Sequence, residues 1–100
     1  MGRARRPQPA RLAEKLLEIR NRLGLSQGQM VRRLERKDIR LYSAHLSGYE
    51  AGTREPPLQI LLNYARTAGI AVEILIDDKL DLPDRLPVRR KRRARPTDAR

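Results

Sequence analysis

Few side chains in this sequence could carry out bond-making chemistry. His45 is its one histidine and it has no cysteine, so a thiolate metal site has no ligands, and no nucleophile-base pair stands out. His45 flanks an apolar position and has no co-ligands at metal spacing, the usual setting of a partly packed ring. Asp77, Asp78 and Asp81, interrupted by Lys79 and Leu80, resemble a cation loop only loosely, because no Gly turn and no closing bidentate Glu stand at loop spacing. A solvated helix end, or an acidic patch visited by a basic segment, fits them better. With no phosphate-cradling loop either, the chain does not read as an enzyme, and nothing in it asks for a cofactor, a metal or a small-molecule substrate.

What remains is the chemistry of recognition, and it centres on Tyr42-Ser-Ala-His-Leu-Ser-Gly-Tyr-Glu-Ala-Gly52. If this stretch is helical, Tyr42, Leu46 and Tyr49 follow the i, i+4, i+7 spacing and share one buried stripe, leaving Ala44, Ser47, Gly48 and Ala51 outside. Such a small, uncharged face is unusual in a chain that is 35% charged, and an interior Gly costs a helix about 1 kcal/mol relative to Ala. Small side chains let a helix backbone press close to a partner; the hydroxyls of Ser43 and Ser47 donate or accept, and the Ala44 methyl offers an apolar contact. Ser47 and Glu50 mimic a capping box, but inside a helix they do not act as one.

The charge distribution suggests the partner. The net charge of +11 comes from the two ends: residues 1–11 hold four Arg and no acid, and residues 85–100 hold eight basic residues against Asp98. Residues 12–84 are neutral yet polarised, with seven basic residues against two acids over 20–40, and five acids against Lys79 over 73–84. Basic ends and a basic flank are what a polyanion requires, because each phosphate neutralised by Lys or Arg releases condensed counterions. Solubility and contact with acidic membranes are the competing explanations of Arg-rich ends. No apolar run approaches the roughly 20 residues of a membrane span, and no apolar signal region follows the first Arg cluster; the expected location is the cytoplasm, in association with the nucleoid. Arg89 to Arg93 could be read as a nuclear import signal, although an additional nucleic-acid arm fits its surroundings better.

The elements that position this face can be read from periodicity. Residues 1–10 are expected to be a disordered basic arm, 11–82 the folded domain, and 83–100 a disordered basic tail, because Pro and Arg crowd both ends and leave little apolar material there. Leu12, Leu16, Ile19 and Leu23 predict a helix over about 10–23, stopped by Gly24. Ser26 and Gln29 form a capping box with Leu25 and Met30 as its hydrophobic staple; the helix they open buries Met30, Val31 and Leu34 and shows Arg32 and Arg33. Residues 35–40 are a polar connection. The third helix is the opening stretch, Thr53 to Pro57 a loop, and Leu58, Leu61, Leu62 and Ala65 the stripe of a fourth helix ending at Gly69. Ile70 to Ile76 suits a strand or a short helix; the helix is preferred, since a lone strand would have no partner.

From about Leu12 to Ile76 the sequence resembles the phage-repressor and Cro-like helix-turn-helix family of regulators, also called the xenobiotic-response-element type. The resemblance is carried by Leu25-Ser26-Gln27, Met30-Val31, Leu46, Tyr49-Glu50-x-Gly52, Pro57-Leu58 and Gly69-Ile70. It implies an all-α fold, a compact bundle of about five helices containing a helix-turn-helix whose third helix enters the major groove of double-stranded DNA. It places Ser43, Ala44 and Gly48 against bases, with Ser47 beside them. It sets Gln27 on a phosphate, Thr53 and Arg54 on the backbone, and Arg20 against Glu50 as a structural salt bridge. The connection between Leu34 and Tyr42 is about five residues longer than the family pattern, and its Arg36, Lys37 and Arg40 add candidate phosphate contacts. The strong bidentate base readers, Arg, Gln and Asn, are missing from the third helix, so specificity could come from the connection, from the ends in a minor groove, or from DNA shape.

The expected function is therefore a sequence-selective transcriptional regulator, a repressor and a homodimer by family habit. The alternative is an adaptor or antitoxin-like module that binds protein through the bare face and holds nucleic acid loosely through its ends. RNA binding is less supported, because Tyr42, Tyr49 and Tyr64 are all expected to face inward and leave no stacking platform.

Overall fold

The computed structural model describes residues 8–35 and 39–87. Among the described residues the five elements are all helices: α1 (Leu12–Leu23), α2 (Gln27–Leu34), α3 (Ser43–Ala51), α4 (Leu58–Ala68) and α5 (Val72–Ile76). The protein is an all-α bundle. α1 packs on α3, α4 and α5, and α2 packs on α3 and α4.

Three helices stop where a glycine takes a left-handed conformation, at Gly24, Gly52 and Gly69, whose φ angles are 71°, 79° and 77°. Residues with a Cβ rarely adopt that conformation, so these glycines define the ends of α1, α3 and α4. α2 starts on the capping box: the Gln29 N–H donates to Ser26 Oγ at 3.1 Å, and the Ser26 N–H donates to Gln29 Oε1 at 2.8 Å. Residues 70–76 form a helix, not a strand, from Val72 onward.

One core joins Leu12, Leu16, Ile19, Met30, Val31, Leu34, Leu41, Leu46, Tyr49, Ile60, Leu61, Tyr64, Ala65, Ala68 and Leu75, all buried. Two expected stripes are corrected. Tyr42 does not share the inner face of α3: it is the N-cap residue, extended at φ −126° and ψ 159°, and 58% exposed, while Leu41 takes the buried place. A residue outside the helix does not follow its 3.6-residue period. In α4 the buried stripe runs through Ile60, Leu61, Tyr64, Ala65 and Ala68, Leu62 is only partly buried, and Leu58 in the first turn is 84% exposed.

Residues 77–87 run back along α1 as a strap. Lys15, only 2% exposed, donates from Nζ to the carbonyls of Ile74, Asp77 and Leu80 at 2.7, 3.1 and 2.8 Å. Arg11 reaches the carbonyl of Asp78 and the carboxylate of Asp81, and Arg22 reaches the carbonyls of Pro83 and Asp84. Leu82 and Leu86 pack against the core. At the other end of α1 the Ala10 and Arg11 N–H groups both donate to the Asp78 carboxylate.

Candidate nucleic-acid interface

The outer face of α3 is held from behind. Leu46 and Tyr49 are buried, each contributing about 1.5–3 kcal/mol of burial. At the front of the helix His45 Nδ1 accepts the Tyr42 N–H at 2.9 Å, and the His45 N–H donates to the Tyr42 carbonyl at 2.9 Å. The one histidine is thus a capping residue. Its ring also stacks on Tyr42 and Tyr49, with centroids 5.6 and 6.5 Å apart, forming a column from solvent to core.

At the far end Arg20 forks onto Glu50. Nε donates to Oε2 at 2.7 Å and Nη2 to Oε1 at 3.0 Å, while Nη1 donates to the Leu25 carbonyl at 3.0 Å. The side chains are 16% and 6% exposed, and the bond to Glu50, the largest influence, raises the Arg20 pKa against the opposing effect of burial. Gln27 Nε2 donates to Glu50 Oε1 at 3.1 Å. One carboxylate therefore ties together α1, the α1–α2 turn, the first turn of α2 and the end of α3. This geometry fixes the angle at which α3 leaves the bundle, because a bidentate fork tolerates little rotation. One of the two Gln27 amide hydrogens is committed to this network.

Of the four residues expected to face bases, Ser43, Ala44 and Ser47 are exposed and Gly48 is half-buried. What half-buries Gly48 is the loop after α3. The Thr53 N–H, the Arg54 N–H and the Thr53 hydroxyl all donate to the Gly48 carbonyl, at 3.0, 3.2 and 3.4 Å. These three bonds fold the loop back so that Arg54 lies over Gly48: a Cβ placed on the glycine would stand 2.8 Å from Arg54 Cβ. The glycine is required by the loop's close approach, a cause that helix periodicity alone does not reveal.

Among the candidate phosphate contacts, Thr53, Arg54 and Arg40 are exposed and Gln27 is partly buried. Arg36 and Lys37 lie outside the described residues, as do the basic runs at both ends apart from residues 8–11 and Arg85. The connection is anchored by Glu35, whose carboxylate accepts the Leu41 N–H at 3.3 Å, and by Ile39 and Leu41, which pack on the core. Arg32, Arg33, Arg40 and Arg54 are exposed, and their guanidinium groups make no hydrogen bond or ion pair with the described residues. Tyr42 faces solvent and not the core, so it is not turned inward as Tyr49 and Tyr64 are.

The acidic cluster is internal wiring. Asp78 caps the start of α1, Asp81 pairs with Arg11 at 2.8 Å, and Asp77 Oδ1 accepts the Lys79 N–H at 2.9 Å. The two backbone N–H bonds hold the Asp78 carboxyl below its ordinary pKa. Among the described residues no group of His, Cys, Asp or Glu is arranged to hold a metal ion. The groove between α1 and the strap is lined by Arg11, Glu14, Lys15, Glu18, Arg22, Asp81 and Leu82, whose charges are largely paired with one another. No helix among the described residues is long and apolar enough to cross a membrane.

Fold and site together define a small helical bundle that presents one short, rigidly anchored helix with a bare outer face. No family model, curated protein or solved structure matches the chain.

Proposed function

We propose that the protein is a sequence-selective DNA-binding regulator of the phage-repressor and Cro-like type, which places α3 in the major groove. The observation that carries this reading is the contrast within α3: Ser43, Ala44 and Ser47 are exposed, small and uncharged, while its inner side and its end are fastened by Leu46, Tyr49 and the Arg20–Glu50–Gln27 network. A face that binds by close approach must be smooth, and the helix beneath it must not shift. Exposed Arg32, Arg33, Arg40 and Arg54 supply the phosphate attraction that positions such a helix. The first N–H groups of α2, which have no partner within the helix, suit a phosphate oxygen.

The protein acts as a homodimer on a site with two half-sites, because one small module has limited affinity and two copies multiply it. The exposed part of residues 70–76, with Ile76 46% exposed, is the interface this reading selects. Repression is the expected outcome, by occlusion of polymerase, and the nucleoid is the expected location. Selection from a random double-stranded DNA pool should enrich a sequence with two-fold symmetry. Ala44→Glu should lower affinity for that sequence at least tenfold while changing stability by no more than about 0.5 kcal/mol. Unchanged target choice in Ala44→Glu removes α3 from the interface. Neutral replacements across Arg89 to Arg95 separate this reading from the adaptor: the regulator keeps its preferred sequence with a weaker salt dependence, whereas the adaptor loses DNA altogether.

A further inference from the structure

The bare face poses a problem for its own function. Ser43, Ala44, Ser47 and Gly48 include none of the side chains that discriminate strongly among bases. Gly48, however, is not an open gap. A Cβ there would lie 2.8 Å from Arg54 Cβ, 3.4 Å from Cδ and 3.6 Å from Nε, so the Arg54 stem occupies the space that a side chain at 48 would fill. The three bonds to the Gly48 carbonyl hold the loop in that place. Arg54 is exposed, and its guanidinium makes no hydrogen bond or ion pair with the described residues.

Resting on the reading of α3 as the DNA-facing helix, we propose that Arg54, delivered across Gly48, is a base reader that recognises a guanine edge in the major groove, and not only a backbone clamp. The planar fork of a guanidinium presents two parallel N–H groups that match the O6 and N7 acceptors of guanine, a match that an ammonium cannot reproduce. A glycine in the helix and an arginine from the following loop then do together what a long side chain on the helix would do alone. The glycine is needed because any Cβ at 48 would displace the stem.

The test uses the full chain and the DNA sequence it selects from a random pool. Affinities are measured for that sequence and its single-base-pair variants, in wild type, Arg54→Ala, Arg54→Lys and Gly48→Ala, at several salt concentrations. Wild type should lose roughly ten- to a hundredfold at one G·C pair per half-site when that pair is changed. Arg54→Ala and Arg54→Lys should abolish this discrimination and leave the other positions as they were, with Arg54→Lys keeping the wild-type salt slope. Gly48→Ala should weaken the same discrimination, with a melting temperature and helix content that show it folded. A uniform loss across all sequences in Arg54→Ala, restored by Arg54→Lys, overturns the inference and leaves the regulator reading intact. Full discrimination in folded Gly48→Ala also overturns it. If wild type enriches no sequence at all, the inference and the reading beneath it both fall.

Discussion

Two sides of this small bundle treat charge in opposite ways. Where the strap crosses α1, Arg11, Lys15 and Arg22 are all bonded to backbone carbonyls or carboxylates, and Asp78 and Asp81 are bonded in return. On α2, in the connection and in the loop after α3 the reverse holds: Arg32, Arg33, Arg40 and Arg54 stand exposed, and the exposed Ser43, Ala44 and Ser47 of α3 are uncharged. Charges already satisfied inside a fold have little left to offer a partner, whereas unpaired cations around a smooth surface attract one over a distance of about a Debye length. The strap side of the molecule is committed to stability, and the α3 side is the one that the proposed function assigns to binding. The Arg20–Glu50–Gln27 network belongs to the first kind, although under that proposal it serves the second.

That division can be broken by substitution, most severely at the network. Glu50→Ala leaves the Arg20 guanidinium in a largely buried position without its carboxylate, and should cost about 3–5 kcal/mol in urea unfolding. A double-mutant cycle with Arg20→Ala should recover a substantial part of that loss; two simply additive losses would show that the fork is not the cause. Next in size is Lys15→Met, which removes the donor from three carbonyls and should cost about 2–3 kcal/mol. Its signature is faster amide exchange across residues 77–87 with α3 unaffected. Equal acceleration in both regions would mean that strap and binding face are not separate after all.

A smaller effect is expected from Asp78→Asn, and its test is pH dependence. The folded protein holds the Asp78 carboxyl below its ordinary value of 3.8, so this residue stabilises the fold above that value, and the contribution is lost as pH falls toward the lowered folded pKa. Wild type should therefore lose melting temperature faster than Asp78→Asn between about pH 5 and pH 2. Parallel curves would remove Asp78 as a charged cap of α1. The smallest effect belongs to Tyr64→Phe. The Tyr64 hydroxyl is buried with no partner among the described residues, so its removal should change stability by less than about 1 kcal/mol, in either direction. A larger loss would reveal a bond to the hydroxyl that the rest of the core depends on.

Much of this architecture is legible one residue at a time. The capping box of Ser26 and Gln29, the three glycine stops, and the apolar spacing of α1 and α2 act within a turn or two of chain, and short-range geometry decides them. Periodicity fails where an element begins. Tyr42 and Leu58 look like members of buried stripes, yet one precedes its helix and the other stands in a first turn, and both face solvent. In α4 two apolar stripes compete, through Leu58 and Leu62 or through Ile60 and Tyr64, and packing against α1, α2 and α5 selects the second.

Sequence alone, through interactions a few residues long, determined the helices, their stops and the uncharged character of the face formed by Ser43, Ala44, Ser47 and Gly48. Only tertiary structure decided that Lys15 would be buried under a strap whose carbonyls lie 62 and 65 residues away, that Asp78 would cap α1, and that Arg54 would lie where Gly48 has no side chain. The reason is one of range: periodicity and capping are set by neighbours along the chain, whereas these three contacts depend on loops folding back onto helices they do not resemble in pattern.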